Sequence, residues 1–152
     1  MSEANASTVR TAGTGNKSVR VIGIIVGVLG VIFLIAGVAT YAIVSQTLAD
    51  ENIVVADDAE NFAGKDVKGP FTAYAQADII AKHAEEIAGG KTYAEMDRED
   101  PNRATVMDAS FLRASLFTSV VAFGVAAFVA VMGVILMLLG WALMKVAKPV
   151  VV

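Results

Sequence analysis

The sequence predicts an all-α membrane protein: an antiparallel hairpin of two transmembrane helices with a small α-rich extracytoplasmic module between the spans. Two observations carry this. Residues 21–44 and 114–144 form long apolar runs without a single charge, and the charges are divided unevenly among the segments that these runs separate. At 1.5 Å per residue the first run makes a helix about 36 Å long, enough to cross a hydrocarbon core of roughly 30 Å with some tilt, and the second run is longer still. The chain therefore divides into a basic tail (1–20), a first span (21–44), an outer module (45–113), a second span (114–144) and a short basic tail (145–152).

Charge sets the orientation. Arg10, Lys17 and Arg20 face one acid, Glu3, in the first tail, and Lys145 and Lys148 face none in the last. Residues 45–113 hold seven Lys or Arg against fourteen Asp or Glu, a net −7, while the tails sum to +4. Basic segments stay on the cytoplasmic side, so the expectation is a multi-pass protein of the cytoplasmic membrane with both tails inside. Tyr41 and Trp141, near the ends of the runs, suit the aromatic belts of the two interfaces. A cleaved signal peptide ending near Thr47-Leu48-Ala49 is the competing reading of the first run. Its 24 residues exceed the roughly 7 to 15 of an h-region.

The first eighteen residues are rich in Ser, Thr, Ala, Gly and Asn and offer little to bury, so the tail is expected to be disordered. Its three cations fix topology, with an adaptor role as the alternative, and they are too few for a nucleic-acid surface. The chain has no cysteine, which excludes disulfides, thiolate metal sites and thioether haem attachment.

In the outer module, residues 52–56 read as a short strand and residues 57–68 as a polar stretch turning at Gly64. Gly69-Pro70 opens a helix with the apolar stripe Ala73, Ala77, Ile80, Ala84 and Ile87, while Asp78, Lys82, Glu85 and Glu86 take the other side. Gly89-Gly90 ends it. Thr92 with Glu95 has the form of a capping box and predicts a brief helix over 93–97. Asp100-Pro101 then starts the last helix, which should run two or three turns above the bilayer before entering it.

Within the spans, Gly23, Gly30 and Gly37 recur every seven residues, as do Ala126, Gly133 and Gly140. In an antiparallel pair facing positions keep a constant sum, so the ladders pair Gly23 with Gly140, Gly30 with Gly133 and Gly37 with Ala126. Small residues let backbones approach closely, which favours helix association in lipid. Gly23 and Gly27 also form a GxxxG, which suits dimerisation or another subunit as the alternative.

The candidate chemistry is sparse. Proton relays and haem or quinone ligands need ionisable or ligating side chains at membrane depth; the runs offer only hydroxyls such as Thr40, Ser115, Thr118 and Ser119. His83 and Glu86 share a helix face at a spacing that a metal could use, but one histidine cannot furnish a two-His-one-carboxylate iron site. Asp57, Asp58, Glu60 and Asn61 lack the ligand alternation and central glycine of a calcium loop. Asp97, Arg98, Glu99, Asp100 and Arg103, the densest charged cluster, suit a helix-start network or a partner-docking surface. No nucleophile motif, phosphate loop or nucleotide fingerprint is present, so neither a catalytic set nor a cofactor is expected.

The stretches DDAENFAGKDVKGPFTAYAQADIIAKH (57–83) and TYAEMDREDPNRATVMDASFLRASLFTSVVA (92–122) resemble a family of small actinobacterial two-span membrane proteins often labelled aromatic ring-opening dioxygenase LigA. The resemblance covers most of the chain after the first tail and implies the two-span fold. The label it carries implies an enzyme or an enzyme subunit.

Three functions follow as expectations. The first is a non-enzymatic bacterial accessory subunit, surrounded by lipid, that docks onto a larger envelope or respiratory complex. The second is a sensor or binding module with an apolar pocket beside Phe71, Tyr74 and Tyr93. The third is a subunit of an enzyme such as a ring-opening dioxygenase.

Overall fold

The structure, a computed structural model, describes residues 12–147, with side chains from residue 17. Among these the chain is all-α apart from one isolated β-bridge, with helices α1 (Ala12–Asp50), α2 (Pro70–Ile87) and α3 (Arg103–Val146) and a single 3-10 turn at Tyr93–Glu95. α1 and α3 are both long and apolar enough to cross a membrane. The described residues form two compact units, one holding 12–37 together with 128–147, the other Val38–Ala127.

α1 starts earlier and ends later than the apolar run. Residues 12–20, expected to belong to a disordered tail, are helical. Once the apolar run has nucleated a helix, each further residue adds one hydrogen bond, and no proline stands in this stretch to stop propagation. The expectation for residues 1–11 lies outside the described residues. At its other end α1 continues to Asp50, where Asn52 takes the left-handed conformation (φ 52°) and its side-chain amide donates to the Asp50 carbonyl at 2.9 Å. Asparagine is one of the few side chains suited to that capping position.

In the first unit the buried positions of α1 are Gly23, Gly30 and Gly37, those of α3 are Gly133 and Gly140, and Ala147 just after α3 is buried too. A seven-residue recurrence keeps one seam of a helix turned toward its neighbour. Backbone meets backbone along it. A β-carbon added at Gly140 would lie 2.6 Å from both the Gly23 carbonyl oxygen and the Gly27 nitrogen; one added at Gly30 would lie 2.6 Å from the Met137 nitrogen and 2.7 Å from the Gly133 oxygen. Gly27, whose GxxxG partner is Gly23, thus presents its backbone to Gly140. The remaining faces are apolar and exposed, with Ile22, Ile25, Ile32, Val131, Leu138 and Trp141 all more than half accessible.

The second unit is built around α2. Gly69 at its start has no side chain to cap with, so Thr72 substitutes: its hydroxyl accepts from the Lys68 and Gly69 N–H groups at 3.2 Å each. Pro70 fits the first turn, where an N–H would go unused. The end is closed by Gly89 and Gly90, both left-handed, with the Gly90 N–H donating back to the Glu85 carbonyl at 2.8 Å. Ala73 and Ala77 are fully buried in a core with Leu48, Val55, Val67, Leu116 and Phe123.

The outer elements differ from expectation in four places. Residues 52–56 do not make a strand; they contribute one antiparallel bridge, Val54 to Asp66, because no further extended segment lies alongside to prolong it. Val67, within the supposedly polar stretch, is fully buried in the same core as Val55, its N–H donating to the Ile53 carbonyl at 2.8 Å. Ile79 on α2 is buried although it falls outside the expected stripe, whereas Ile87, at the end of the stripe, is exposed. Finally, α3 begins at Arg103 after a turn at Pro101 and Asn102.

The glycine seam yields a direct expectation. Gly140→Leu must push α1 away and should destabilise the protein by about 1–3 kcal/mol or more, as overpacking does. Gly124 has no atom within 4 Å of an added β-carbon. Gly124→Leu should therefore leave the SDS-titration midpoint of the purified protein unchanged, while Gly140→Leu lowers it.

Candidate functional site

Several titratable groups of Val38–Ala127 are engaged by the fold. His83, on α2, donates from Nε2 to Asp58 Oδ2 at 2.6 Å, across 25 residues of sequence. This contact chiefly lowers the Asp58 pKa below its ordinary value of 3.8. His83 is thus turned to the 57–62 loop, and Glu86, its expected companion, has no part in the contact. Glu95 accepts from the Thr92 N–H at 2.8 Å and the Thr92 hydroxyl at 2.9 Å, which lowers its pKa from 4.5, the backbone N–H contributing most. Among the described residues no group of three or more His, Asp or Glu side chains could hold a metal ion.

The expected docking cluster divides. Arg103 turns inward, its Nη1 donating to the carbonyls of Tyr93, at 3.2 Å, and of Met96, with its guanidinium 4.2 Å above the Tyr93 ring. Asp100 accepts from the Asn102 N–H at 2.8 Å and shapes the turn before α3. Both are partly buried; Asp97, Arg98 and Glu99 stay exposed. Arg103 is recruited because the carbonyls at the end of the 3-10 turn lack helical partners, and a guanidinium fork can satisfy two at once. The helix-packing residues also divide. Gly23 meets Gly140 and Gly30 meets Gly133, while Gly37 and Ala126 are each buried.

Three concavities lie in this unit. Beside Phe71 and Tyr74 the groove is shallow, about 150 Å³, and also involves Phe62, Ile79 and Lys82. Tyr93 borders a different one of about 260 Å³, with Glu85, Val106 and Arg113. The apolar pocket expected beside all three aromatics is therefore replaced by two separate grooves. The largest of these, about 510 Å³, runs between α1 and α3 over α2, with Ile43 and Leu48 from α1, Glu51 just after its end, and Leu112, Leu116 and Ala122 from α3. Sequence reasoning missed it, since it depends on how three helices converge.

Aromatic rings collect in the same unit. Tyr41 lies 4.7 Å from Phe123 between ring centroids, and Tyr74 meets Phe117 edge-on at 5.8 Å. Phe71 is 73% exposed, Tyr74 and Phe62 about half. Phe62 also holds φ at 60°, a left-handed conformation that a bulky side chain rarely adopts.

The chain matches no family model, no curated protein and no solved structure.

Two expectations follow from the contacts. A group with a depressed folded pKa stabilises above its unfolded value and loses that contribution as pH falls through the lowered value. Asp58 should accordingly titrate below 3.8 when its carboxyl carbon is followed by NMR, and His83→Gln should return it toward 3.8. Arg103→Ala should accelerate amide hydrogen exchange downstream of Tyr93, around Met96 and Asp97, as the turn it ties down loosens. Arg98→Ala, at an exposed position, should leave exchange there unchanged.

Proposed function

We propose that this protein is a non-enzymatic accessory subunit of the cytoplasmic membrane, a two-span hairpin with both tails inside and an outer module that docks onto another membrane protein. The membrane reading is supported by the two apolar helices and by aromatic–cation pairs near both ends of the apolar part of α3. The Arg113 guanidinium lies 5.3 Å from the Phe117 centroid and the Lys145 ammonium 5.0 Å from the Trp141 centroid, each cation one turn outward of its ring. The orientation rests on the basic tails and acidic outer segment.

The observation that carries docking is Phe62. Holding a phenylalanine in the left-handed region costs about 1–3 kcal/mol, and here the conformation presents its ring at the surface near Phe71 and Tyr74. Exposed aromatics set together are what interface hot spots are made of. The charged groups nearby are of less use for binding, because His83 and Asp58 already satisfy each other. The resemblance to proteins labelled as ring-opening dioxygenases fits this reading less well, because the chain's one histidine is committed to Asp58 and offers no second imidazole for iron.

A photoreactive phenylalanine analogue at position 71 should cross-link a protein of the native membrane. Phe62→Asn, which removes the ring yet tolerates the left-handed backbone, should weaken that cross-link severalfold without lowering stability. Cross-links to lipid alone, or an unaffected cross-link in Phe62→Asn, would refute docking through this face. Topology is read separately with an impermeant thiol reagent on intact cells: Gly90→Cys should label and Ser7→Cys should not.

A further inference from the structure

We propose that the groove between α1, α2 and α3 is a binding site for one aliphatic chain of an outer-leaflet lipid that carries an amine in its head. The inference rests on the membrane-spanning reading but is independent of the docking surface around Phe62.

The groove has the size and composition of a ligand site. Its volume, about 510 Å³, falls within the roughly 300–1,000 Å³ range of small-molecule pockets. Ile43, Val44, Leu48, Ile80, Leu112 and Leu116 supply most of its wall. Three of its four hydroxyls do not change that character, since each donates within its own helix: Thr47 to the Ile43 carbonyl at 3.0 Å, Thr118 to Ala114 at 2.8 Å and Ser119 to Ser115 at 3.2 Å. Among the lining hydroxyls Ser115 alone makes no such bond, so an alkyl chain can lie against the other three without stranding a donor.

Its polarity is graded along the helices. The end bounded by Ile43, Val44 and Ala122 belongs to the apolar runs, and the opposite end holds Glu51 and Gln76. Positions 43 to 50 of α1 span about 10 Å, and Glu51 follows directly on its end. That gradient follows the direction in which a lipid passes from tail to head, which argues for a membrane amphiphile over a water-soluble solute. Glu51 is the only charged side chain on the lining, and it has no ion pair among the described residues. Gln76 accepts the Ala56 N–H through Oε1 at 2.9 Å, a contact that fixes its amide at the polar end. A lone carboxylate there selects a head that brings positive charge, which a primary amine supplies and a glycerol head does not.

The test uses the full chain in nanodiscs of phosphatidylglycerol containing a minor fraction of phosphatidylethanolamine, with a photoreactive diazirine on the acyl chain of one lipid or the other. Labelled peptides are mapped by mass spectrometry. The expected result is label concentrated near 43–51 and 112–122, several-fold stronger from the ethanolamine lipid. Glu51→Gln should abolish the headgroup preference while keeping the label in place. Ala122→Phe, which fills the apolar end, should remove the label. Label spread evenly along both apolar helices, or equal labelling by both lipids in the wild type, would overturn the proposal. Failure of the underlying membrane reading would show earlier and differently, as protein that does not co-float with lipid vesicles at all.

Discussion

Close backbone approach at glycine is the constraint on which the packing of the two long apolar helices depends. Lipid offers no hydrophobic reward for bringing two apolar helices together, so association has to come from dispersion and from carbonyl and amide groups in near contact. Gly23, Gly30, Gly133 and Gly140 supply such contact by having nothing beyond the α-carbon at the positions where α1 and α3 touch. With 2.6 Å between a hypothetical β-carbon and the opposing backbone, even alanine is too large at Gly30 or Gly140. Hence the seven-residue recurrence matters more than the identity of the aliphatic residues between, which lipid covers in any arrangement.

The same economy of side-chain size recurs in the second unit, in a different chemistry. α2 is held by Ala73 and Ala77, both fully buried, against the larger Leu48, Leu116 and Phe123. A small side chain on one helix facing a large one on another is how layers interdigitate without voids. Here the reward is ordinary burial from water, and Val55 and Val67 add to it from the bridged segment. Polar groups then secure the edges: Ser45 donates to the Lys68 carbonyl at 2.7 Å, and Gln76 receives the Ala56 N–H.

What could be read from the sequence was whatever is local. Charge-free length announced the two apolar helices, and capping residues at Gly69-Pro70, Gly89-Gly90 and Thr92 with Glu95 marked the ends of shorter elements to within a few residues. The facing of α2 was legible only in part. A single apolar stripe assumes one neighbour, but α2 is also covered by the 57–62 loop, so Ile79 is buried on a side that looked polar. Val67 was hidden by its acidic and basic neighbours, although the alternation Asp66-Val67-Lys68 is the pattern of a half-buried extended segment. The His83–Asp58 contact and the large groove had no sequence signal, because each joins residues brought together only by the fold. Arg103 could not be told from Arg98 by spacing; only the unsatisfied carbonyls of the 3-10 turn distinguish them.

A division of labour follows within the outer segment. Polar side chains that might have formed a reactive centre are spent on local structure: Glu95 on a cap, Arg103 on carbonyls, Asp100 on a turn, His83 and Asp58 on each other. Among its many exposed charges the segment also leaves ring and alkyl surface uncovered, at Phe62, Phe71, Tyr74, Phe111 and Leu112. In the docking we propose, that apolar surface would recognise by shape and burial, with charge serving to steer. The net −7 of residues 45–113 fits that secondary role, since a long-range field of one sign biases encounter with a basic partner before any ring is buried. In the proposed docking, specificity falls to the aromatic surface, where a strained backbone at Phe62 would hold the ring in place before a partner arrives and so reduce the ordering cost of binding.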